Sequence, residues 1–156
     1  MPRIEDMCPE YIKQPFMKEY VFTLMNLIRL VFIKFNENNP YDIFALIDSY
    51  MQRNEARHGM DVGNPKYLNM GWKQVYNRTP MDDLPEGDKL DDIMLHWMAD
   101  IYTYWQWAYN LSSKEISKRC PAKELYRRYN PFHEAGITTV CRKLTEIYFP
   151  EVIRNE

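Results

Sequence analysis

The first strongly patterned stretch of the chain is residues 15–35. Polar residues Glu19, Thr23, Asn26, Arg29 and Lys34 recur every three to five positions, and Val21, Phe22, Leu24, Met25, Leu27, Ile28, Val31 and Phe32 lie between them. That spacing predicts a helix. Pro15 suits its first position, where the missing N–H would be unpaired anyway. So narrow a polar stripe predicts that most of the helix is buried. The turn-forming run Asn36-Glu-Asn-Asn-Pro40 ends it.

A second helix is expected from Tyr41. Ile43, Phe44, Leu46, Ile47, Tyr50 and Met51 follow the i, i+3, i+4, i+7 template, and the helix fades at Arg57-His58-Gly59. Gly59 reads as a left-handed cap. Residues 58–87 show no sustained period and hold Gly59, Gly63, Gly71, Gly87 and Pro65, Pro80, Pro85. They read as a long irregular loop with one short turn near Pro65–Met70. Loops of that length inside a domain are uncommon and are often functional. Acidic residues from Asp82 to Asp92 then favour a helix N-terminus, and a third helix is expected over 92–109, again nearly all apolar. Ser112-Ser-Lys-Glu115 reads as a capping box opening a short helix. Helical turns follow from Pro121 to Arg128 and from Glu134 to Tyr148, where Pro150 ends the pattern. No stretch alternates with period two. The expectation is an all-α protein: a compact bundle of about five or six helices in one domain (1–156), with an N-terminal arm (1–14) and the long irregular loop 58–87.

Composition narrows this. A chain of 156 residues, 46% apolar and 15% aromatic, can bury about two thirds of its unfolded surface and is too apolar for disorder. The net charge of −2 projects no global field toward nucleic acid or acidic lipid. Cys8, Cys120 and Cys141 form no CxxC pair, so neither a disulfide framework nor a structural zinc site is expected. The N-terminus lacks the charge and apolar pattern of a signal peptide, and the run Tyr20–Phe35 is too short and too charged to span a bilayer. A cytoplasmic location is expected, with no membrane partner, no metal and no cofactor.

Candidate chemistry is sparse. Arg53-Asn-Glu-Ala-Arg-His58 matches R-N-x-x-x-H and so resembles the HEPN superfamily of small helical ribonucleases. That resemblance implies a metal-independent ribonuclease acting as a homodimer, with His58 as general acid/base and Arg53 stabilising the charged phosphorane. The plain alternative is a basic helix end that complements the dipole. His96 and Asp100 lie one turn apart, close enough to touch. His133-Glu134 fails the zinc-protease pattern because residue 137 is Ile. A basic cluster in the last third includes Lys118, Arg119, Arg127 and Arg128. It reads as a solvated face, or as a patch for an acidic protein surface; nucleic acid is not the expected partner.

The C-terminal half carries a second resemblance. Tyr109-Asn-Leu-Ser-Ser-Lys-Glu-Ile116, Glu124-Leu-Tyr-Arg-Arg-Tyr129 and Phe132-His-Glu-Ala-Gly136 resemble segments of a family of small uncharacterised helical proteins from gut Firmicutes. The resemblance spans about residues 97–148. It departs at Ser113, where the family has Gly, and at Glu134, where it has Thr. Members lie beside a predicted ADP-ribosyltransferase-like toxin, which implies a toxin–antitoxin or phage-conflict setting. With no catalytic set in the residues, the expected function is a non-enzymatic protein-binding module, antitoxin-like or an inhibitor of a partner protein such as a toxin encoded nearby. A phage-encoded inhibitor of a host defence protein is the other binding alternative. The expected anchors are Tyr67, Met70, Trp72 and Tyr76 of the long loop, of the residue types that dominate binding hot spots.

Overall fold

The computed structural model describes residues 15–61 and 65–154. The expected N-terminal arm, with Cys8, lies outside the described residues. Two long helices, α1 (Pro15–Asn38) and α6 (Asp92–Tyr109), form the centre. They run antiparallel. Asn36 at the end of α1 exchanges two hydrogen bonds with the backbone of Leu90 (2.8 and 3.0 Å). One end further along, Arg29 forks onto Asp100 of α6, Nε to Oδ1 at 2.7 Å and Nη2 to Oδ2 at 2.5 Å. The remaining helices pack around this pair: α2 (Ile43–Arg53), α3 (Glu55–Asp61), α4 (Pro65–Leu68), α5 (Trp72–Asn77), α7 (Ser113–Arg119), α8 (Ala122–Arg127), α9 (Tyr129–Phe132), α10 (Ile137–Tyr148) and α11 (Pro150–Arg154).

The all-α expectation holds among the described residues, where the only β pairing is an isolated bridge between Tyr41 and Glu86. The expectation of five or six helices is corrected to eleven helical segments. The difference comes from pieces of four to seven residues, too short to show a period. The expected second helix breaks at Asn54, whose backbone is extended (φ −80, ψ 116). Its side chain donates at 2.8 Å to both Val75 O and Thr79 Oγ1, and accepts from Arg57 N, so one buried amide ends α2 and starts α3. Pro150 ends α10 and then opens α11, as a proline at a first helical position can.

The 58–87 region is corrected in part: the short turn expected near Pro65–Met70 is helical, a second short helix follows, and the residues beyond Asn77 have no helix up to Asp92. It holds the end of α3, all of α4 and α5, and an extended strap that runs beside the α1–α2 turn. Asp42 N donates to Pro85 O (2.8 Å) and Ile43 N to Asp88 O (3.0 Å). Gly87 meets Asp42 so closely that a Cβ there would stand 2.5 Å from Oδ1. Gly59 is not a left-handed cap; it lies inside α3, where a Cβ would fall 2.0 Å from the Tyr67 ring. The left-handed residue is Asn110 (φ 57, ψ 48), which caps α6.

One contiguous core joins these helices. α1 contributes Ile28, Val31, Phe32 and Phe35; α2 contributes Ile43, Leu46, Ile47 and Tyr50; α6 contributes Met98, Tyr102 and Trp105. Trp105 is fully buried and donates from Nε1 to Thr145 Oγ1 of α10 at 2.9 Å. Among the described residues no helix is long and apolar enough to cross a membrane.

Candidate functional site

The residues expected to anchor a partner are largely used within the fold. Tyr67 is 7% exposed and its hydroxyl donates to Glu55 Oε1 at 2.6 Å. Tyr76 packs on Phe35 with ring centroids 5.3 Å apart and accepts from Asn39 at 3.2 Å. Trp72 lies edge-on to Tyr76 with Lys34 over its ring at 5.2 Å. Met70 is partly buried against the core. Trp72 and Tyr76 thus face α1, whereas Tyr67 faces α3 through Glu55 and Gly59.

Arg53 and His58 sit on different helices with different partners. Arg53 grips Asp83 through Nη1 (3.0 Å) and Nη2 (2.8 Å) and also reaches Ser49 and Pro80 O. That pairing holds the Asp83 carboxyl below its ordinary range and raises the Arg53 guanidinium. His58 Nε2 lies 3.2 Å from Met51 O. Asp100 is taken by Arg29 rather than by His96. Among the described residues, no three His, Cys, Asp or Glu side chains are placed to hold a metal ion.

The basic cluster is partly neutralised. Arg119 pairs with Glu151 and lies over Phe149 (4.3 Å). Arg127 pairs with Glu124 at 3.6 Å, and Arg128 lies over Tyr148 at 5.7 Å. Lys118 is exposed, as are Lys114, Lys123 and Lys143.

Sequence reasoning missed two features. The first is an outward aromatic face on α6. Ile93 is 71% exposed, and Trp97, Tyr104 and Trp107 are half-buried. Trp97 meets Tyr129 of α9 edge to face (5.4 Å, 90°), and Tyr129 stacks on exposed His133 (4.5 Å, 11°). Tyr104 packs on Trp107 (5.8 Å) and bonds Thr138 of α10 at 3.3 Å. Lys143 sits over Phe132 at 5.6 Å. The face therefore runs from α6 across α9 into basic territory. The spacing was in the sequence: 93, 97, 100, 104 and 107 lie three or four apart, with Asp100 at the side that Arg29 of α1 takes.

The second is a pair of carboxylates that cap helices from a distance. Asp61 Oδ2 accepts from Ser113 N (3.1 Å) and Ser113 Oγ (2.5 Å) at the start of α7. Its other oxygen accepts from Gln106 Nε2, whose Oε1 in turn accepts from Arg57 Nη2. Arg57 is 1% exposed and its Nε stands 3.7 Å from Asp61. Asp48 Oδ1 accepts from Ala122 N (2.8 Å) at the start of α8 and from Ser117 Oγ (3.4 Å). Burial pushes the Asp48 carboxyl up to about 6, against those two hydrogen bonds and with help from Asp42. Burial also raises the Cys120 thiol, to about 12, and the Cys141 thiol, so both buried thiols are inert.

No protein-family model, curated protein or solved structure matches the chain.

Proposed function

We propose that this chain is a protein-binding module, antitoxin-like or an inhibitor of a partner protein, working in a bacterial toxin–antitoxin or phage-conflict setting. The observation that carries the reading is the aromatic face centred on Ile93 and Trp97. An isoleucine with 71% of its surface exposed beside half-buried Trp and Tyr rings has the make-up of an interface centre, where aromatic residues are enriched and lysine is pushed to the rim. The segment that follows α6 is basic, and its Lys143 lies over Phe132 at the edge of this face. Residues 112–149 carry Lys114, Lys118, Arg119, Lys123, Arg127, Arg128, Arg142 and Lys143 against Glu115, Glu124, Glu134 and Glu146. A protein with an apolar centre and an acidic surround complements that surface, and opposite charges speed and orient such encounters. The binding centre thus moves from loop 58–87 to α6 and α9. A toxin and a host defence protein would use the same face and differ only in identity.

The test is co-expression with the product of the adjacent gene. A stable complex is expected, lost in the double variant Ile93→Asp, Trp97→Ala while its circular dichroism stays helical. Separate purification of the two wild-type proteins would overturn the reading.

A further inference from the structure

A cleft of 270 Å³ lies between α2 and residue 84 of the strap, lined by Ala45, Asp48, Ser49, Gln52, Arg53 and Leu84. Most of its polar atoms are already engaged. Ser49 Oγ donates to Pro80 O at 2.6 Å and accepts from Arg53 Nη2 at 2.9 Å. Arg53 is turned onto Asp83 through two nitrogens. Two acceptors are left over. Gln52 spends its Nε2 on Ser117 Oγ at 3.0 Å, and its Oε1 receives no donor from the described residues. Asp48 spends Oδ1 on Ala122 N and Ser117 Oγ, and its Oδ2 likewise receives none.

The charges around the cleft point one way. The charge acting on Asp48 is another carboxylate, Asp42 at the head of α2. The charges acting on Arg53 are Asp82 and Asp83 of the strap. Behind Asp48 lie Tyr102 of α6 and Cys120 after α7, whose burial keeps both neutral through the physiological range. Asp48 forms no ion pair among the described residues, and Arg53, which lines the same cleft, is turned onto Asp83.

We propose that this cleft binds an alkylguanidinium or alkylammonium group, whose N–H donors meet Asp48 Oδ2 and Gln52 Oε1 while its methylene stem lies along Ala45 and Leu84. The ligand supplies what the fold withholds: a counter-charge for a part-buried carboxylate, and donors for two unused acceptors. The capping role of Asp48 does not require its charge, because an asparagine oxygen could also accept from Ala122 N. The site shares no residue with the docking face proposed above, so either can fail alone.

The experiment follows the Asp48 carboxyl carbon by NMR in the full chain at pH 7.5 while n-propylguanidinium is added. A saturable shift is expected, together with none from the neutral isostere n-propylurea. Affinity should fall roughly tenfold at pH 5, where Asp48 takes up a proton. It should fall at least about tenfold in Asp48→Asn, which keeps the Ala122 acceptor and so should fold, and also in Gln52→Leu, since both proposed contacts are charge-assisted or buried. Absence of a saturable shift, or a shift at neighbouring resonances that survives Asp48→Asn, would overturn the proposal. A pentapeptide with central arginine distinguishes the source. Binding tighter than n-propylguanidinium assigns the site to a partner's side chain, and equal binding assigns it to a small free cation.

Discussion

Asp48 and Asp61 perform the same mechanical task in different electrostatic settings. Each reaches from one helix to the first N–H of another: Asp48 from α2 to Ala122, Asp61 from α3 to Ser113. Such groups have no partner inside their own helix and need one from elsewhere. Asp61 works inside a closed network, with Arg57 3.7 Å away and Gln106 bridging them. Asp48 works with neutral donors and a second carboxylate acting on it, and its proton is held up to about 6. The comparison separates two uses of a buried carboxylate. One is compensated and locks three helices together. The other keeps its charge at a cost, on the wall of a cleft.

The largest expected effect comes from breaking the compensated member. Asp61→Ala strands the buried Arg57 guanidinium and should lower unfolding free energy by about 3–5 kcal/mol, read from urea denaturation. Trp105→Ala should cost about 3–5 kcal/mol by the separate route of a core cavity, and combining the two shows whether the network and the α6–α10 contact act independently. The uncompensated member should behave in the opposite sense. Its folded carboxyl pKa is raised, so its contribution is fully present below about pH 4 and is lost as pH rises through about 6. Asp48→Asn should therefore stabilise the protein by about 2–3 kcal/mol at pH 8 and by nothing at pH 4. A variant less stable than wild type at pH 8 would show that the carboxylate is compensated after all. The smallest effect belongs to the solvent-exposed pair. Arg53→Ala should shift the midpoint least of these four, and its effect should shrink further in 1 M salt, as a screened surface ion pair does.

How much of this was legible beforehand depended on whether a feature was local. Both long helices read correctly because their periods run over five or six turns. So did the Ser112 cap, whose Oγ accepts from Glu115 N at 3.1 Å. The short helix α5 did not, because six residues cannot display a period, and α4 was legible only as a turn near Pro65–Met70. Gly59 was misread because the ring that excludes a side chain there belongs to Tyr67, a contact that only the folded chain makes. Arg57 and Asp61 stand one turn apart in plain view, but nothing in their spacing says that they are buried. The α6 face was hidden by composition. A stripe of Ile, Trp, Tyr and Trp looks like core, and only the folded chain shows that Ile93 is left 71% exposed.

The antiparallel pairing of α1 with α6 also bears on how the chain folds. Asn36 meets a partner 54 residues away and Arg29 one 71 residues away, so the two central helices are strangers in sequence. Helical proteins usually fold fast because their contacts are local; here the central contact waits on closure of a long loop. Folding slower than is usual for a helical domain is the expected consequence.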